Sequence, residues 1–232
     1  MEDSPGTRNY NAAVDFVDRH FAEGHADRIA IRCESRSYSY GEVAGLMNRT
    51  GNALRDLGVG MESRVFLLLH DSPQFVAAFF GAMKIGAVPV PVNTMLRCED
   101  YEHLLNDSRA RVLIVQETLW GEIEQIRERL HYLHHVIVVG AAQRDELEFD
   151  SWVAAGSPQL APAQTTADDV AFWLYSSGST GFPKAAVHLH HDMRYATDHY
   201  ARQVLKLNET DITFSAAKLF FAYGLGNGLY FP

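Results

Sequence analysis

Residues 65–92 read VFLLLHDSPQFVAAFFGAMKIGAVPVPV. The run from Val65 to Leu69 is apolar without alternation, as a short strand covered on both faces requires. Ser72 followed by Pro73 sets a helix N-cap before proline in the first turn. Phe75, Phe79 and Met83 recur at helical spacing, and Gly86 closes the helix. Ala87–Val92 is strand-like again, but Pro89 and Pro91 cannot donate to a ladder, so this strand lies at an edge or is irregular. Strand, helix, strand is the unit of a parallel sheet with a right-handed crossover.

The alternation extends in both directions. Upstream, Asn11–Phe21 reads as an amphipathic helix, with Val14, Val17 and Phe21 on one face. Arg28–Arg32 and Ser37–Tyr40 read as two short strands. Ser39 with Glu42 forms a capping box, so a helix starts near Gly41 and runs through Val43, Met47 and Leu54 to Gly58. Downstream, Glu99–Asn106 reads as a helix, Val112–Val115 as a strand, Leu119–Leu133 as a helix and Val136–Val139 as a strand. From Gly156 to Ala167 the sequence GSPQLAPAQTTA has no periodicity and reads as a surface linker. It divides the chain into a first α/β subdomain, 1–160, and the start of a second, 161–232. The second part predicts a strand at Val170–Tyr175, a Ser/Gly loop, a strand at Ala185–Leu189, a helix at Asp192–Leu205 and a strand at Ile212–Ser215. The fold class is therefore α/β, with mostly parallel sheets and helices on both faces. The closing stretch KLFFAYGLGNGLYFP has no cap and no polar tail, which predicts a cut inside a larger domain.

Composition excludes several classes. The 232 residues are 47% hydrophobic and 21% charged, an ordinary globular balance. Net charge is -9, which disfavours nucleic acid as a partner. Two cysteines, Cys33 and Cys98, allow neither a disulfide framework nor a cysteine zinc site. The first ten residues lack the apolar core of a signal peptide, and no apolar run approaches the ~20 residues of a membrane span. The expectation is a soluble, cytoplasmic protein that binds no membrane.

The chemistry concentrates in Ser176-Ser177-Gly178-Ser179-Thr180-Gly181-Phe182-Pro183-Lys184, between two predicted strands. Two glycines permit backbone N–H groups to turn into one concavity, the hydroxyls add donors and Lys184 adds a positive charge. Such a loop suits a polyphosphate. It is not a Walker A loop: the glycines are too close, Pro183 removes a donor and Ala185 follows the lysine, which disfavours a Walker-type NTPase. A Ser/Gly turn between strands is also common in proteins that hold no phosphate.

The string SSGSTGFPK resembles the phosphate loop of the adenylate-forming superfamily, which includes acyl- and aryl-CoA ligases. It departs from the family pattern at Ala185, where glycine is usual. A second segment, Phe220-Phe221-Ala222-Tyr223-Gly224-Leu225-Gly226-Asn227-Gly228, is similar to benzoate–CoA ligases and their aminobenzoate and hydroxybenzoate relatives. Read without that resemblance, it is an apolar strand entering a Gly-rich turn. MKIGAVPVPVN and the Ser-Tyr-Gly-Glu stretch resemble the family's opening subdomain, so the likeness spans nearly the whole chain from Tyr10.

The resemblance implies the front portion of the large N-terminal domain of such an enzyme. It implies ATP, Mg2+ and coenzyme A as cofactors and benzoate as the aromatic carboxylate, with the rest of the ligase chain as partner. Ser176, Ser177, Gly178, Ser179, Thr180, Gly181 and Lys184 would hold ATP phosphates, and Ala222, Tyr223 and Gly224 would line the aryl pocket. No catalytic residue is expected in this chain, because the family's adenylation lysine falls beyond residue 232. The chain alone is then inactive. Alternatives are a ligase for 2-aminobenzoate or a hydroxybenzoate, and a non-catalytic nucleotide-binding remnant.

No metal site is expected. His188 and His190 would share a strand face but lack further ligands, and packing at a strand end suits them better. His131, His134 and His135 are expected at a helix end, where imidazole suits the dipole. The alternating charges of 122–129 read as a solvated face, Glu99 and Asp100 as a helix start, and Trp173 as core.

Overall fold

In the computed structural model, residues 9–176 and 183–232 are described. The chain opens with a wide helical turn, Val14–Asp18, running into helix α1, Arg19–Ala22. Strands β1 (Ile29–Cys33) and β2 (Arg36–Ser39) form an antiparallel hairpin. Helix α2, Tyr40–Asp56, follows at once. Its start is the capping box read from sequence: Ser39 Oγ accepts from Glu42 N–H at 3.2 Å, and Glu42 Oε2 accepts from Ser39 N–H at 2.8 Å.

The centre is a five-stranded parallel sheet. Its strands are β3 (Arg64–Leu68), β4 (Val88–Pro91), β5 (Val112–Gln116), β6 (His135–Val139) and β7 (Leu147–Glu148), in the order β4-β3-β5-β6-β7. The proline-bearing β4 takes an edge, pairing with β3 alone in this sheet, as the missing N–H groups require. Helix α3, Pro73–Lys84, crosses from β3 to β4; Ser72 Oγ accepts from Phe75 N–H at 3.2 Å, and Gly86 adopts φ +76° in the turn after it.

Alternate strand residues feed two cores, one per sheet face. Val65, Leu67, Val112, Ile114 and Ile137 join α2 and α3 on one side. Phe66, Leu68, Leu113, Val115, Val136 and Val138 join helix α4 (Cys98–Ser108) and the short helix α5 (Trp120–Glu124) on the other. The apolar runs are continuous because both faces are covered.

The single helix expected over 119–133 is broken. Leu119 lies in a 3-10 turn, α5 ends at Glu124, and a second 3-10 turn spans Arg127–Arg129. The Gln125 side-chain amide takes the Gly121 carbonyl at 2.9 Å. The Asn106 side chain binds Arg129 C=O and His131 N–H, each at 3.0 Å, capturing backbone a longer helix would have used. His131, His134 and His135 therefore cap no helix; His135 opens β6. Strand β7 and helix α6, Phe149–Ala154, were not foreseen.

Segment 156–167 is irregular, as expected, and it is strapped to α2. Asn48 donates to Pro158 C=O, Asn52 to Ser157 and Gln159 C=O, and Arg55 to Ala161 C=O. Beyond it, β8 (Val170–Ser176) runs beside β4 and pairs antiparallel with β9 (Lys184–Leu189). Ala171, Phe172 and Leu174 enter the first core, continuous with α3. Helix α7, His190–Ala196, passes into a wide turn, Thr197–Ala201, ending short of the expected Leu205.

The strand expected at 212–215 is absent: the backbone is irregular there, and it pairs with no strand among the described residues. Unpaired strand backbone has no ladder to hold it. The last segment is helical, with α8 at Ala222–Leu225 and a wide turn at Gly226–Tyr230. Among the described residues, no helix is long and apolar enough to cross a membrane.

Candidate functional site

The loop predicted to hold phosphates is the connection of the β8–β9 hairpin. Ser176 and Lys184 are register partners at the open end of the ladder, so the loop leaves and returns through adjacent positions. Both residues are exposed, which leaves the Lys184 ammonium available to a charged ligand. Ser177, Gly178, Ser179, Thr180 and Gly181 lie outside the described residues. The hairpin is anchored just before the loop. Tyr175 OH donates to Asp107 Oδ2 of α4 at 2.6 Å, and burial together with that carboxylate pushes the phenol well above its ordinary range.

Ala222, Tyr223 and Gly224 form a second group at the start of α8. Ala222 and Tyr223 are exposed, Tyr223 at 68%, while Gly224, Leu225 and the preceding Leu219 and Phe220 are buried. The turn is wound tightly: Phe221 N–H reaches Lys218 C=O at 3.0 Å, and Leu225 N–H reaches Phe221 C=O at 2.8 Å. A Cβ on Gly224 would collide with the carbonyl oxygens of Lys218 and Ala217, so this close approach demands glycine. The outcome is a buried floor from which two aromatic rings project, Tyr223 further than Phe221 at 44%.

One residue that holds this turn was missed in the sequence. Asp71, in the turn between β3 and α3, accepts from Leu219 N–H at 3.0 Å through Oδ1, while Oδ2 faces Lys218 Nζ at 3.6 Å. A signal existed: a carboxylate just past the carboxyl end of a parallel strand occupies the position where α/β sheets place binding residues.

The histidines behave as packing groups. His188 stacks on Phe172 with ring centroids 4.5 Å apart. His190 opens α7, so it does not share a strand face with His188. His190 is fully buried, and its Nδ1 accepts from Ala12 N–H at 3.0 Å. Burial lowers its pKa from 6.5 to about 4. His191 faces Ala167 C=O at 2.9 Å and Asp168 at 3.2 Å.

A 330 Å³ depression lined by Tyr10, His191, Arg194, Tyr195, Asp198 and His199 lies elsewhere, and its charges are spent on one another: Arg194 binds Asp198 at 2.7 Å. Among the described residues, one group of three metal-capable side chains lies within mutual reach, His20, Glu23 and His25. Two imidazoles suit neither Mg2+ nor its preference for oxygen ligands. That group is therefore no Mg2+ site.

The AMP-binding enzyme family model matches residues 18–232, nearly the whole chain. The chain belongs to this family. It is 44% identical over 225 residues to the 4-hydroxybenzoate–CoA/benzoate–CoA ligase of Rhodopseudomonas palustris, covering 97% of this chain and 42% of that protein. It is 45% identical over 224 residues to the benzoate–CoA ligase of Thauera aromatica, covering 96% and 42%. Among solved structures, an anthranilate CoA ligase in complex with anthranoyl-AMP superposes with a TM-score of 0.95 at 39% identity, covering 100% of this chain and 45% of that one. A benzoate CoA ligase from Burkholderia xenovorans gives 0.86 at 38% identity, covering 96% and 43%. The chain thus spans less than half the length of the relatives it matches. The α/β class, with a helix-covered parallel sheet, agrees with these neighbours.

Proposed function

We propose that this chain is the front part of an ATP-dependent aryl-carboxylate–CoA ligase, with benzoate as its acid. The observation that carries the reading is Tyr223, an exposed ring directly before the buried Gly224 and Leu225, in a chain at 44–45% identity to benzoate-acting ligases. Ala222 beside it leaves space, and the ring offers an edge or face to a flat acid. Ser176, Lys184 and the loop between them hold the β- and γ-phosphates, Lys184 as a point charge.

The reaction has two steps. A carboxylate oxygen attacks the α-phosphorus of ATP, the bond to the bridging oxygen of pyrophosphate breaks, and an aryl-adenylate forms. The thiol of coenzyme A then adds to the acyl carbon, AMP leaves, and the thiol proton passes to solvent. This chain contributes mainly by positioning and by neutralising phosphate charge. Coenzyme A, Mg2+ and the adenylation lysine are served by the remainder of the ligase, which is also the partner of this part. Residues 1–160 and 161–232 act as its first subdomain and the beginning of its second.

The test is product analysis. The full-length protein with benzoate, ATP, Mg2+ and coenzyme A is expected to yield benzoyl-CoA, AMP and pyrophosphate, and residues 1–232 alone to yield none. ADP with phosphate, or no thioester from the full-length protein, contradicts the reading. Anthranilate and the hydroxybenzoates belong in the same assay, because solved and curated relatives bear those names.

A further inference from the structure

We propose that Asp71 is a positioning residue that sets the aryl-binding turn from the end of the parallel sheet. The inference rests on the reading of Ala222 and Tyr223 as aryl-pocket residues. Asp71 is well placed to act as a fixed point. It stands between β3, whose residues Val65–Leu68 are fully buried, and Ser72, whose hydroxyl caps α3 at 3.2 Å. Both flanking elements are buried in the core.

From that point the carboxylate reaches across 148 positions of sequence to Leu219 N–H at 3.0 Å, with Lys218 Nζ at 3.6 Å from its other oxygen. A backbone N–H held by a carboxylate is a charge-assisted bond, stronger and more directional than a neutral one. Leu219 is also the residue at which the chain turns inward: Leu219 and Phe220 are buried, and Phe221 bonds back to Lys218 C=O.

The constraint then passes to Tyr223. Gly224 lies directly against the Lys218 and Ala217 carbonyls, so moving Lys218 moves Gly224. Asn227 Nδ2 donates to Tyr223 C=O at 2.9 Å, tying Tyr223 to the wide turn behind it. Asp71 thus touches no substrate and acts through the backbone of residues 218–224. The same contact places the aryl turn at the carboxyl end of β3.

The experiment uses the full-length ligase with Asp71→Ala, Asp71→Asn and Tyr223→Ala. Asparagine retains an acceptor for Leu219 N–H, so it serves as the rescue and as the safeguard if alanine folds poorly. Amide exchange at 219–225 should accelerate about tenfold or more in D71A and far less in D71N, the size of one lost bond to a charged acceptor, with β3 and β5 amides unchanged. The KM for benzoate should rise about tenfold in D71A while the KM for ATP stays within about twofold. Unchanged exchange at 219–225 overturns the clamp. Equal changes in both KM values, or none in either, overturn its positioning role. Faster exchange in D71A with an unchanged benzoate KM in Y223A would instead remove the aryl reading and leave the clamp standing.

Discussion

Two short apolar segments meet opposite fates in this chain. Val65–Leu69 is wholly buried, in and just past an interior strand of the parallel sheet, whereas Ile212 is 79% and Phe214 93% exposed in irregular backbone. Each reads locally as a strand. The difference lies in pairing: β3 has β4 and β5 hydrogen-bonded on either side and helices on both faces, and 212–215 pairs with no strand among the described residues. Strand character belongs to the pair rather than to the segment.

The largest expected effect follows directly. Phe79→Ala, at a fully buried ring of α3, should cost about 3–5 kcal/mol in urea unfolding. Phe214→Ala should stay within about 0.5 kcal/mol. Equal costs would break the comparison.

The next sharpens it through pH. His190 is buried neutral in the first core, with its pKa lowered from 6.5 to about 4. The unfolded chain therefore takes up a proton before the folded one does. Its contribution is fully present above about pH 6.5 and is lost as pH falls towards 4, on the order of 3 kcal/mol. Unfolding free energies of wild type and His190→Asn across pH 4–7 check this; the variant should lack that part of the slope.

A smaller effect concerns the open hairpin end. Lys184→Ala should raise the KM for ATP of the full-length protein by about tenfold and leave its urea midpoint unchanged, because the residue is exposed. Smallest is Ser39→Ala, which removes one side of the α2 capping box and should cost about 1 kcal/mol by urea unfolding.

What was legible in the sequence was whatever short-range chemistry decides. Ser39 with Glu42, and Ser72 with Pro73, marked helix starts that the structure retains. Pro89 and Pro91 marked the sheet edge. Alternating burial was hidden in β3 because both faces are apolar, yet the continuous run itself disclosed a parallel sheet. What failed depended on distant partners. The helix over 119–133 was broken by Asn106 and Gln125 side chains taking backbone groups, which periodicity cannot reveal. For the candidate site, Lys184 and Tyr223 were nominated through family likeness, whereas Asp71 had only its place past the end of a strand to mark it, since its partner Leu219 lies 148 residues away.

The most direct test of the aryl-ligase account is carboxylate-dependent ATP–pyrophosphate exchange by the full-length protein, compared across benzoate, acetate and a long-chain fatty acid. The account predicts exchange with benzoate at least about a hundredfold above acetate, since an empty aryl pocket forfeits the burial of a whole ring. Equal exchange with all three acids, or exchange independent of any acid, would contradict it.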